Sequence, residues 1–221
     1  MKCPICNSKT EKNGIHKLFN TDILTCIQCG YSFEKEHLVN KNNTLSQQVD
    51  NSDSFGANKN RNSYYLKILL KIKESEKINN ILEIGTPKDY DFLKKIHKSD
   101  SKIKIYSHDI IKNKYPEYIN FYSNKEDLIK ERIDLLFCIH TLEHIPAYHL
   151  KTFVDFCKIV SEKYIFEVPC CENRQRILKS SAQPHYSFFT EKSIKILFGE
   201  DHKFLKTNEV LKFNNLSLKI Y

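Results

Sequence analysis

Two Cys-x-x-Cys pairs, Cys3-Pro4-Ile5-Cys6 and Cys26-Ile27-Gln28-Cys29-Gly30, carry the clearest chemistry in this chain. Each pair forms a knuckle that aims two thiolates at one point, and Asn7 and Gly30 suit the left-handed backbone such a knuckle needs. Four thiolates close a tetrahedral shell around zinc and leave no open position, which makes the site structural. A thioredoxin-like redox pair is the alternative, but its βαβ surroundings are missing from this stretch. Between the pairs, His16–Phe19 and Ile23–Thr25 predict two short strands, and Tyr31–Phe33 continues after the second knuckle, hence a zinc ribbon over residues 1–35. So short a segment buries little, so the metal supplies its folding energy.

A second group of residues suits a nucleotide-type ligand. Ile81-Leu82-Glu83-Ile84-Gly85 reads as a buried strand ended by a turn glycine, with helical patterns before it (Tyr64–Lys77) and after it (Phe92–Ile96). Lys102–Asp109 predicts the next strand and ends in an acid. Helix, strand, tight turn, helix is how such a site opens in an α/β sheet, with the ligand off the strand's carboxyl end. A plain buried strand with a turn glycine satisfies the same residues.

The elements that must position these groups follow from periodicity. Tyr118–Tyr122, Ile133–Ile139 and Lys163–Val168 predict three further strands, with helices at Lys125–Arg132, Ala147–Ser161 and Thr190–Phe198. Thr190 is placed to cap the last helix. Two more strands are expected around Phe204 and over Leu216–Tyr221. Strands alternating with helices predict an α/β fold: a Rossmann-like, mainly parallel sheet with helices on both faces, plus the small N-terminal ribbon.

Composition narrows the function. The 221 residues hold one ordinary domain and a small appendage. Eight cysteines with no secretory signal favour a reducing, cytoplasmic setting. No run reaches the roughly 18 apolar residues of a membrane span. The net charge of +8 comes from scattered lysine rather than an arginine block, so a solvated surface is favoured over a nucleic-acid footprint. Residues 36–60 are polar and predict a linker or a lid.

His140-Thr141-Leu142-Glu143-His144 matches the inverted zinc-protease pattern. That enzyme needs both histidines on one continuous helix and a third ligand downstream. Here a strand is expected up to Ile139 and Pro146 follows His144, so the context disfavours the protease reading.

Taken together, Ile81–Gly85, Asp109, the Ile133–Pro146 segment, and Phe166-Glu167-Val168-Pro169 followed by His185-Tyr186-Ser187-Phe188-Phe189-Thr190 resemble class I S-adenosylmethionine-dependent methyltransferases. The likeness covers residues 61–221 and leans toward the subgroup that modifies sugars and lipid-linked saccharides, some of which begin with a cysteine ribbon. It implies S-adenosylmethionine as cofactor, held by Glu83, Gly85, Thr86, Asp89, Asp109, Cys138 and His140, with Asp109 on the ribose hydroxyls. It also implies His185 and Tyr186 as catalytic residues beside a small-molecule, saccharide-type acceptor. The metal set is Cys3, Cys6, Cys26 and Cys29. An RNA acceptor, or a non-catalytic binding protein, are the rival readings. One departure stands out. The family's first loop is rich in glycine, whereas this chain reads Gly85-Thr86-Pro87-Lys88-Asp89.

Overall fold

The computed structural model describes residues 1–35, 59–110 and 114–199, with the backbone of 203–206 and 216–220. The linker or lid expected over 36–60 lies outside the described residues, apart from the helix start at Lys59. The chain divides into two compact units, one of residues 46–139 with 157–165 and the other of 1–45 with 140–156 and 166–221.

The first unit is built on β4 (Asn80–Ile84), flanked in parallel by β5 (Lys104–His108) and β7 (Leu135–Ile139). Strand β6 (Ile119–Tyr122) continues the parallel ladder from β5. Ile81, Leu82 and Leu135 through Cys138 are fully buried on both sides of their strands. Such an unbroken apolar run is the signature of a strand covered on both faces. On the face that carries Phe137 the cover comes from α1 (Lys59–Ser75), through Tyr65 and Leu69, and from α2 (Asp91–Ser99), through Phe92, Leu93 and Ile96. Phe92 meets Phe137 edge-on at 4.8 Å, a favoured aromatic geometry. Asp134 accepts the backbone N–H groups of Asn79 and Asn80, which sets the register between β4 and β7. The helix predicted over Lys125–Arg132 stops early, as α3 (Lys125–Leu128). Glu131 instead accepts the hydroxyls of Tyr106 and Tyr122.

The second unit holds an antiparallel meander of β1 (Thr10–Ile15), β2 (Asp22–Cys26) and β3 (Ser32–Glu34). A two-residue strand, β9 (Ser187–Phe188), pairs with β3 and completes a four-stranded sheet in the order β1-β2-β3-β9. The strand expected at His16–Phe19 is a turn, and the strand lies before it. Buried His16 organises that turn: Nδ1 accepts the N–H groups of Leu18 and Phe19, and Nε2 donates to the His185 carbonyl at 2.8 Å. Beneath the sheet, Ile23, Phe188, Cys171 and Ile177 form a core with Leu178 packed against it. Gly14 sits where a Cβ would lie 2.9 Å from Leu178, so no side chain fits there without displacement.

A 3-10 turn (Leu142–His144), α5 (Arg174–Ser180) and α6 (Glu191–Phe198) complete this unit, while α4 (Leu150–Val160) and β8 (Tyr164–Pro169) run through both. Thr190 caps α6 as expected, in a reciprocal capping box with Ser193. Strands β10 (Lys203–Lys206) and β11 (Leu216–Ile220) add antiparallel to β8 at one edge, giving the seven-stranded order β10-β11-β8-β7-β4-β5-β6.

Candidate functional site

The four ribbon cysteines converge. Their sulfurs all lie within 4.8 Å of one another, with Cys3 to Cys29 at 3.7 Å and Cys6 to Cys26 at 3.3 Å. Zinc–sulfur bonds of about 2.3 Å in a tetrahedron put sulfurs roughly 3.8 Å apart, so the set fits a four-thiolate zinc site. Asn7 and Gly30 hold the left-handed turns, at φ 62° and 72°. Gly30 is doubly fixed, because a Cβ there would meet Thr190 Cγ2 at 2.8 Å while the Thr190 hydroxyl donates to the Cys29 carbonyl. Hydrogen bonding from the Cys29 thiol pulls Cys3 down to about 5, so one sulfur of the cluster already favours the thiolate.

In the sheet unit, Gly85 leaves the tip of β4 at φ 76°, a conformation that favours glycine, and its N–H bonds the His108 carbonyl at the tip of β5. Asp109 is the next residue, half-buried at that tip. The buried Thr86 hydroxyl donates to the Glu83 carbonyl and accepts from Ser107. Tyr115 donates to the Thr86 carbonyl. Asp89 is exposed and accepts from the Asp91 N–H, while Asp91 is engaged by Asn62 and Lys95. Cys138 is wholly buried near the end of β7.

Glu83 is 4% exposed, and its Oε2 has no hydrogen-bond partner. Burial pushes its pKa up to about 8, against the pull of Thr86 and Arg61. A carboxyl raised from 4.5 in this way favours the fold fully below pH 4.5 and loses that contribution as pH rises through about 8. Glu83→Gln is therefore expected to flatten the pH dependence of stability between those values. Urea titrations of both proteins at pH 5 and pH 8 check it, and parallel pH profiles would contradict it.

The second unit contains a buried ionic cluster. His140 has a left-handed backbone, φ 51°. Its Nδ1 donates to Glu143 at 2.8 Å, and its Nε2 lies 3.5 Å from Glu167. Burial opposes a charged imidazole, but the two carboxylates outweigh it and hold His140 up at about 9. Burial likewise opposes the Glu143 carboxylate, and His140 outweighs it, bringing Glu143 down to about 2. His185 is 5% exposed, with Nδ1 2.7 Å from the Ser180 hydroxyl. Burial drives it down to about 3, so it is neutral at pH 7. Tyr186 is buried too, stacked on Phe19, and burial raises its hydroxyl to about 12. The sequence pointed to His140, His185 and Tyr186 but not to the charge network through Glu143 and Glu167. The H-x-x-E-H spacing is the available signal for Glu143, and nothing local points to Glu167.

No family model and no curated protein matches this chain. Solved structures do. Magnesium protoporphyrin IX methyltransferase from Synechocystis PCC 6803 with bound SAH aligns at TM-score 0.53 and 12% identity, over 72% of this chain and 80% of that one. The same enzyme with bound SAM gives TM-score 0.50 and 12% identity, over 72% and 76%. An O-methyltransferase candidate from Nostoc punctiforme PCC 73102 gives 0.51 and 9%, over 70% and 55%. The fold is the α/β fold of class I methyltransferases. Among the described residues no helix is long and apolar enough to cross a membrane.

Proposed function

We propose that this chain transfers a methyl group from S-adenosylmethionine to a small-molecule acceptor of saccharide type. One observation carries the reading: in a methyltransferase fold, the left-handed Gly85 turn is hydrogen-bonded to the strand tip that presents Asp109. A carboxylate at that tip can accept both hydroxyls of a ribose. Glu83, Thr86, Asp89, Cys138 and His140 complete the proposed cofactor set. Asp89 supplies charge for the cofactor's ammonium group.

Methyl transfer is an in-line displacement at a sulfonium, so the enzyme's main work is to hold donor and acceptor in attacking geometry. His185 and Tyr186 are the proposed acceptor-side residues, with neutral His185 able to accept a hydroxyl proton. Residues 1–35 form the zinc-binding ribbon of this scheme, 61–221 the catalytic domain, and 36–60 the segment between them.

Pro87 and Asp89, where the family has glycine, favour a second reading, a fold that has lost catalysis. Pro87 offers no N–H to the cofactor. Calorimetry with S-adenosylmethionine and its demethylated product separates the two readings. The expected dissociation constant is about 10–100 μM, equivalent to roughly 5.5–7 kcal/mol. Asp109→Ala is expected to weaken it by about 1.5–3 kcal/mol, the range for a hydrogen bond to a charged group. No binding at millimolar cofactor would establish the non-catalytic reading.

A further inference from the structure

We propose that Glu143, His144 and His185 form a second metal site, distinct from the ribbon cysteines, for a divalent first-row transition ion, zinc foremost. Each of the three offers a ligand atom within 4.8 Å of the others. The two imidazoles face each other edge-on with centroids 4.9 Å apart. Two histidines and one glutamate are a donor set for zinc and its neighbours, and three protein ligands leave positions open for water or substrate.

Three features prepare the ligands. The His144 Nδ1 lies 2.8 Å from the Pro184 carbonyl. A carbonyl only accepts, so Nδ1 carries the proton and the neutral ring keeps its lone pair on Nε2. His185 is arranged the same way when the Ser180 hydroxyl accepts its Nδ1 proton. A histidine whose far nitrogen is tied to an oxygen is how metal-binding imidazoles are oriented. Glu143 is 1% exposed, and its Oε2 has no partner, although its other oxygen is held by His140. A buried carboxylate oxygen without a donor is costly, and a cation on it removes the cost.

The arrangement also explains how an H-x-x-E-H stretch can serve a metal without a helix. Glu143 and His144 leave a single 3-10 turn, and the downstream ligand comes from the segment that hydrogen-bonds back to it, through Tyr186 N–H on the Glu143 carbonyl. His144 is half-buried and gives the ion an approach. The site stands independently of methyl transfer. In a methyltransferase, its open positions would polarise an acceptor hydroxyl, and His185 would then be a ligand rather than a base.

The test uses the full chain with its ribbon zinc in place. After equilibration with excess zinc and gel filtration, elemental analysis is expected to give about two zinc ions per chain, one for each site of this donor number. His144→Ala and Glu143→Gln are each expected to lose one and keep the other. Cobalt added to protein that carries zinc in the ribbon alone is expected to give weak visible ligand-field bands without a thiolate charge-transfer band, and those bands should vanish in His144→Ala. A cooperative urea transition like that of the parent shows that a variant is folded. Should His144→Ala prove misfolded, the cobalt spectrum of the wild type decides alone. One zinc per chain in the wild type, a second zinc that survives both substitutions, or the absence of nitrogen–oxygen cobalt bands would each overturn the site.

Discussion

A chelator strong enough to strip a four-thiolate zinc site is expected to unfold the ribbon and to loosen the segment from His185 to Thr190 with it. Structural zinc contributes about 10–16 kcal/mol of apparent folding free energy in small zinc-dependent domains. The ribbon's own core is thin, so little remains without the metal. The coupling follows from hydrogen bonds that tie the ribbon to residues 185–190. Glu34 N–H bonds the Tyr186 carbonyl, His16 bonds the His185 carbonyl, and Thr190 bonds the Cys29 carbonyl. Tyr31 donates to Ser187, whose own proton goes to Ile145. Hydrogen exchange on zinc-loaded and chelated protein should show lost protection at both stretches, with the parallel ladder of β4, β5 and β7 still protected. Unchanged exchange at Phe33, Glu34 and Ser187 after complete zinc removal would contradict it.

The second large effect is expected at His140. Its imidazolium is the counter-charge for Glu143, which is 1% exposed, and it also faces Glu167, equally buried. Removing one partner of a buried ion pair leaves an uncompensated charge and costs about 3–5 kcal/mol. His140→Ala should lose about that much by urea denaturation at pH 6. The pH dependence has a definite sign. His140 is raised from 6.5 to about 9, so its contribution is complete below 6.5 and is lost as pH rises through 9. Glu143 is lowered from 4.5 to about 2, so its contribution is present above 4.5 and is lost as pH falls through 2. The pair therefore supports the fold most between pH 4.5 and 6.5. In the variant, the decline from pH 6.5 to 9 should be smaller. A variant as stable as the parent at pH 6 would show that the cluster does not hold this unit together.

Local chemistry was legible in the sequence, and long-range pairing was not. The two cysteine knuckles, the Gly85 turn, the acid ending β5 and the Thr190 cap each depend on residues a few places apart, and the structure has all of them. The apolar strands β4 and β7 were equally plain, because a strand buried on both faces writes itself as a continuous run. Strand β9 was invisible, since two residues make no period and only pairing with β3 makes Ser187–Phe188 a strand. Helix α5 was missed for a similar reason. Its sequence Arg-Gln-Arg-Ile-Leu-Lys-Ser has two adjacent apolar residues and no repeating stripe. His16 was misplaced because an apolar run read as a strand, whereas a side chain that accepts two backbone N–H groups folds the chain into a turn. The charge network escaped because Glu167, distant in sequence, meets His140 only in the fold, where the His140 N–H also bonds the Glu167 carbonyl.

The pairing of β3 with β9 also sets a timetable for synthesis. Chains emerge N-terminus first, so the four cysteines leave the ribosome long before Ser187 and Phe188. Metal can close the knuckles at once, since those contacts are local. The edge of β3, however, stays open while the residues from Lys35 to Tyr186 are made, an exposed strand edge of the kind that pairs with strangers. Glu34 N–H finds the Tyr186 carbonyl, and Phe33 finds Ser187, only when nearly all of the described chain has emerged. The nascent ribbon is thus a half-finished sheet until Ser187 and Phe188 have emerged, and its last strand arrives together with His185.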